Sequence, residues 1–231
     1  MSEGSIRDSA NSTHDPPVRG FLHTPETPNG SGIVLTHGAG GNAQAPLLRA
    51  LAERFAAQGH TVLRVNLPYR QLRSFGPPGP GDAARDRAGL KNAVTLVSNI
   101  VGGARTGVGE LFLAGHSYGG RQSSILCSEE PDLVAGLLLL SYPLHPPRRP
   151  EQQRTQHLPD LRTPTLFVHG TRDPFGTIEE LERAIKMIPA KTRLVPVEGA
   201  GHDLGFKGKS GREDLPRLIL SEFSNFLGLS S

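Results

Sequence analysis

The chain has 231 residues, with 25 Lys and Arg against 22 Asp and Glu and a formal charge of +3. That length suits one large α/β domain with its own core. The mild positive balance, spread without a basic run, does not point to nucleic acid. The lone cysteine, Cys127, excludes an intrachain disulfide and suits a reducing, cytoplasmic compartment.

Residues 1–17, MSEGSIRDSANSTHDPP, are polar and lack the apolar segment of a secretory signal, so they are expected to form a disordered tail ahead of a single domain at 18–231. VRGFLHTP then has the pattern of an edge strand. GIVLTH (32–37) follows as a buried strand, and a glycine cluster leads into a helix over 45–58. That cluster has two readings. Gly38, Gly40 and Ala43 fit the G-x-G-x-x-A turn of a dinucleotide site. The same HGAGG stretch also fits a loop that lends a backbone N–H to an oxyanion hole.

The next strand, TVLRVNL (61–67), weighs against the dinucleotide. Such a site wants an acidic residue at its end, and no Asp or Glu follows Asn66 until Asp82. A phosphorylated dinucleotide would have to rely on Arg64 or Arg70. A long loop, LPYRQLRSFGPPGPGD (67–82), precedes a helix from about Asp82 to Ile100.

ELFLAGH (110–116) is an apolar strand running directly into Gly115-His116-Ser117-Tyr118-Gly119, with a helix from Tyr118 to Glu129 behind it. A G-x-S-x-G between strand and helix lifts a serine onto a sharp turn, and its glycines allow the backbone to pack closely. LVAGLLLLS supplies the next strand; the apolar run Leu133–Tyr142 is about half the length that a membrane helix needs, so no membrane span is expected. A second long loop, at 142–164, is rich in Pro and Arg and too small for a lid domain.

TLFVHG then leads to Asp173 and a helix at 177–188, and TRLVPVEG leads to His202, before a last helix at 214–226. A serine hydroxyl needs a base to take its proton, and the base needs an acid to orient it. Ser117, Asp173 and His202 follow in the order Ser, acid, His, with spacings of 173 − 117 = 56 and 202 − 173 = 29 that leave room for the intervening strand–helix units. Asp203 reads as a surface charge, since adjacent loop side chains point apart. His37, His116 and His169 read as structural, Cys127 as a core thiol. GFKGKS (205–210) imitates a phosphate loop, but Asp203 stands where the first glycine belongs.

Strands alternating with helices indicate a mostly parallel sheet of about seven strands covered on both faces. HGAGG, LPYR, GHSYGGRQSS, SYPLHPP, LFVHGTRDPFG and EGAGHD together resemble the α/β-hydrolase superfamily over nearly the whole chain. More narrowly, the chain is similar to the small, lidless, dienelactone-hydrolase-like hydrolases. The resemblance implies Ser117 as nucleophile, Asp173 as acid and His202 as base. Dienelactone hydrolases proper use cysteine in the elbow, so serine here favours esters or thioesters over dienelactones. The Ala39 and Tyr118 amides are expected to line the oxyanion hole. Tyr69, Arg70, Arg121 and His145 are candidate substrate-binding residues, with Arg70, Arg73 and Arg121 able to pair with a substrate carboxylate.

The expected reaction is hydrolysis of a small-molecule ester or thioester through an acyl-enzyme, with no metal or organic cofactor. A peptidase, a cofactor-free haloperoxidase, a C–C bond hydrolase and a non-catalytic binding module on the same fold remain as alternatives. Fold and triad leave the acyl and leaving groups open.

Overall fold

A computed structural model describes residues 2–6, 14–102, 109–206 and 214–229. One eight-stranded sheet runs through the molecule. Its strands are β1 (Ser2–Ile6), β2 (Gly20–Thr24), β3 (Gly32–Thr36), β4 (Thr61–Val65), β5 (Leu111–His116), β6 (Gly136–Leu140), β7 (Thr165–Gly170) and β8 (Thr192–Val197). The spatial order is β1-β2-β4-β3-β5-β6-β7-β8; the β1–β2 and β2–β4 pairs are antiparallel and the five remaining pairs are parallel.

The helices are α1 (Pro46–Ala57), α2 (Pro68–Leu72), α3 (Asp82–Gly102), α4 (Tyr118–Glu129), α5 (Ile178–Ile185) and α6 (Leu215–Leu227). Successive side chains of a strand point to opposite faces, and the core divides accordingly. Leu137 and Leu139 of β6 pack with α3, α4 and α5, while Leu138 and Leu140 pack with α1 and α6. Both faces being covered, the central strands are continuous apolar runs, which is why they are legible as buried strands.

Local chemistry fixes several helix ends. Pro46 starts α1, where a missing N–H removes nothing from the helix. Thr177 and Glu180 form a reciprocal capping box at α5, and Gly228, in the left-handed region at φ 72°, ends α6.

Three features differ from the sequence expectation. The segment expected as a disordered tail includes β1, which adds an eighth strand by pairing with β2, so β2 is no longer the sheet edge. Asp15 and Pro16 of the same segment contact α3 through Arg85 and Asn92. The loop at 67–82 contains α2, only five residues long and too short to persist alone; Asp86 of α3 accepts its Tyr69 amide. Residues 7–13, also within that segment, and residues 207–210 of GFKGKS lie outside the described residues. Among the described residues no helix is long and apolar enough to cross a membrane.

Candidate active site

β5 ends at His116, and Ser117 turns the chain into α4 with φ 50° and ψ −117°. This positive φ is strained for a residue with a Cβ, and such strain persists only where the surroundings hold it. They do so through close backbone packing. A Cβ on Gly115 would lie 2.4 Å from the Gly120 nitrogen, and one on Gly119 would lie 2.4 Å from the His37 carbonyl oxygen. The two glycines of the motif thus let β5, α4 and the end of β3 meet at one point.

The loops after β7 and β8 are joined to each other by backbone bonds: Thr171 N–H to Val197 O at 3.1 Å and Arg172 N–H to Ala200 O at 2.9 Å. That joining brings Asp173 and His202, 29 positions apart, into contact. His202 Nδ1 lies 2.8 Å from Asp173 Oδ2 and 3.0 Å from Oδ1, and its Nε2 lies 2.7 Å from Ser117 Oγ. The Asp173 side chain is fully buried, accepts the Phe175 amide at 2.9 Å, and lies 3.7 Å from His169 Nε2. Phe175 stacks against the His202 ring with centroids 4.1 Å apart.

His116 and His37, read as structural, have defined positions around this chain of contacts. His116 Nε2 donates to the His202 carbonyl at 2.8 Å, and burial pushes its pKa down to about 4, so the ring stays neutral. His37 donates from Nδ1 to Gly38 O and accepts the Leu67 amide at Nε2. His169 donates to Gly176 O at 2.9 Å, bracing the loop that carries Asp173.

Ser117, His202, Ala39 and Tyr118 line a cavity of about 660 Å³ at the C-terminal ends of the strands, a volume suited to a small molecule. The Tyr118 amide belongs to the first turn of α4, whose N–H groups have no partner inside the helix.

The fold and the family model agree. The chain matches the model described as alpha/beta hydrolase domain over residues 29–224, most of its length. It belongs to the α/β-hydrolase family.

The hydrolase shares its fold with several solved structures. Dienelactone hydrolase from Anabaena variabilis superposes with a TM-score of 0.71 at 23% identity, covering 97% of each chain. XC6422 from Xanthomonas campestris, described as a serine hydrolase without lid, gives 0.71 at 18% identity, covering 93% of this chain and 92% of that one. A serine hydrolase homologue from Coxiella burnetii gives 0.68 at 19% identity and 96% coverage of both. Polyketide synthase ThaQ of Burkholderia thailandensis is 48% identical over 48 residues, which are 21% of this chain and 2% of that protein. The hydrolase therefore matches only a small piece of that curated relative.

The candidate substrate-binding residues separate into two groups. Arg121 lines the cavity. Tyr69, Arg70 and His145 do not, and their assignment is corrected. Arg70 turns inward from α2: its Nε donates to Gly41 O at 2.8 Å, and its Nη atoms donate to Ala39 O, Gly76 O and Arg73 O. Tyr69 donates its hydroxyl to Ala39 O at 2.8 Å. Both residues therefore brace the HGAGG loop from behind. His145 is buried between Pro146 O and the Glu180 carboxylate. Arg73 pairs with Asp82 at the surface. Arg64, weighed for a phosphorylated dinucleotide, is buried and bonded to His23 and Ala43 O.

Sequence reasoning missed Arg154, Phe175 and Phe206 in the cavity lining. Phe175 sits two residues beyond Asp173 and was within reach of a local argument. Arg154 is one of four arginines between positions 148 and 162, with nothing local to distinguish it.

Proposed function

We propose that the protein is a serine hydrolase of small carboxylic esters or thioesters, working through an acyl-enzyme. Ser117 Oγ attacks the carbonyl carbon while His202 Nε2 takes its proton. Asp173 accepts from Nδ1 and holds the imidazole in the required tautomer. The Ala39 and Tyr118 amides donate to the developing oxyanion; losing one such donor lowers the rate by about 10²–10³. His202 then protonates the leaving alcohol or thiol, and activates the water that releases the acid and restores Ser117.

The observation that carries this reading is the continuous chain from Ser117 Oγ to His202 (2.7 Å) and from His202 to the buried Asp173 (2.8 Å). An interaction module has no need of it. The strained Ser117 backbone supports the same reading, since a merely structural turn would favour glycine there.

A fluorophosphonate probe with peptide mapping tests it. Labelling of the wild type at Ser117, lost in Ser117→Ala and in His202→Ala, is the expected result. A folded wild type that stays unlabelled overturns the proposal and favours a binding role.

A further inference from the structure

The cavity has walls of two kinds. Ala45, Pro46, Leu47 and Leu48, at the start of α1, and Phe206 form an apolar side. Arg121 and Arg154, from the opposite layer of the sandwich, enter the same cavity. We propose that these two arginines are an anion subsite, and that the ester or thioester cleaved here carries a carboxylate or phosphate close to its scissile carbonyl. The inference rests on the serine-hydrolase reading for the word ester, while the anion site itself stands on the residues alone.

Arg121 stands one helical turn beyond the nucleophile: its amide donates to Ser117 O at 2.9 Å, so both residues lie on the same face of α4. Its Nε is buried and has no hydrogen-bond partner among the described residues. Arg154 is held by its backbone, which donates to Leu144 O at 2.8 Å and accepts the Tyr142 hydroxyl at 2.6 Å. Among the described residues its guanidinium donates once, from Nη1 to Pro143 O at 3.2 Å.

Neither guanidinium forms an ion pair with a carboxylate among the described residues. Two groups beside Arg121, Tyr142 and His157, bring no negative charge. Tyr142 is kept protonated by burial, and His157 is neutral, its pKa pushed down to about 4 by burial and by Arg121 itself. Burial, and then the field of Arg121, lowers the pKa of Arg154. Asp203, the one acid lining the cavity among the described residues, accepts the Gly205 amide at 3.0 Å.

Two like charges sharing a partly desolvated wall repel, and a buried donor without a partner is unfavourable. An anion supplied by the ligand relieves both, and guanidinium is the side chain best matched to a carboxylate or phosphate. The apolar wall across the cavity would take the uncharged part of the same molecule.

The test has a kinetic and a binding arm. Paired esters isolate the charge: 4-nitrophenyl hydrogen adipate against its methyl ester places it on the acyl side, and 3-carboxyphenyl butanoate against 3-carbamoylphenyl butanoate places it on the leaving group. In one series, the charged-to-neutral ratio of kcat/KM should fall ~10-fold or more in Arg121→Met and in Arg154→Met. Arg85→Met, at an exposed arginine paired with Asp15, should leave the ratio unchanged. Arg121→Lys serves if Arg121→Met does not fold.

In the second arm, calorimetry on Ser117→Ala compares adipate, inorganic phosphate and neutral adipamide. At least one anion should bind ~10-fold or more tighter than adipamide, with the preference lost on adding Arg154→Met; which anion binds identifies the source of the charge. Ratios indifferent to both Met variants, with no anion preference in calorimetry, overturn the subsite. If no ester turns over and the fluorophosphonate fails as well, the hydrolase reading falls, while calorimetry still decides whether the anion site exists.

Discussion

The hydroxyl of Tyr118 donates to Oδ2 of Asp86 at 2.7 Å, while Oδ1 of the same carboxylate accepts the Tyr69 amide at 3.1 Å. A fully buried acid on α3 thus ties together the residue after the nucleophile and the helix behind the HGAGG loop. Burial raises the Asp86 pKa, and its two donors oppose that shift. Burial, together with the Asp86 bond, raises the Tyr118 pKa beyond the usual phenol range, so Tyr118 remains a donor.

Asp86→Ala would orphan both donors. Leaving a buried donor unsatisfied costs about 1–3 kcal/mol, and one kcal/mol in a domain of this size lowers Tm by about 2–4 °C. Asp86→Ala should therefore melt at least several degrees lower, and kcat for an ester should fall more than KM rises. Asp86→Asn retains an acceptor for the Tyr69 amide and should fall between. Thermal melts with steady-state kinetics check this; an unchanged kcat in a folded Asp86→Ala would show that α4 alone positions Tyr118.

Arg70 is expected to act through the HGAGG loop, because its donors are engaged by carbonyls of that loop and of 73–76. Lysine, with three donors on one nitrogen, cannot span the four carbonyls that Arg70 reaches from Nε and both Nη atoms. Arg70→Lys should therefore lower kcat by about 10-fold or more, with KM nearly constant and equal effects on charged and neutral esters. A rise in KM confined to anionic esters would instead make Arg70 a substrate contact.

Stability should fall with acid before ordinary carboxylates titrate. Burial holds His37, His60, His116 and His157 at pKa values of about 4, against 6.5 when exposed. Between those values the unfolded chain binds protons that the folded chain refuses. The stability these histidines contribute is thus complete above pH 6.5 and is lost as pH falls towards 4, by up to about 1.4 kcal/mol per pH unit for each. Asp86, with its raised pKa, works in the opposite sense and offsets part of the loss. Urea midpoints at pH 7, 6 and 5 should decline progressively. His60→Gln, remote from the cavity and bonded to Ser31, should make that decline shallower; a flat profile in the wild type would contradict the assignment.

Much of the molecule was legible in local order. The Tyr118–Glu129 helix begins and ends where the elbow motif and its pattern indicate, and the central strands match their apolar runs. What escaped was short or held by distant partners. β1 forms by backbone pairing with β2, which a polar segment does not announce. α2 is five residues stabilised by Asp86 from another helix.

The alternation of buried strands and helices is written along the chain, and with it the order in which Ser117, Asp173 and His202 reach the C-terminal ends of the strands. Apolar periodicity and the glycines of a tight turn are properties of neighbours along the chain, so they survive in one dimension. Tertiary structure alone decided which arginine meets the cavity. Arg70 turns into the carbonyls beneath the HGAGG loop, Arg121 points out from the elbow helix, and Arg154 is carried in by a loop of 23 residues. The direction of a long side chain depends on what packs against it, and the Gly41 and Ala39 carbonyls that draw Arg70 inward lie 29 and 31 positions away in the chain.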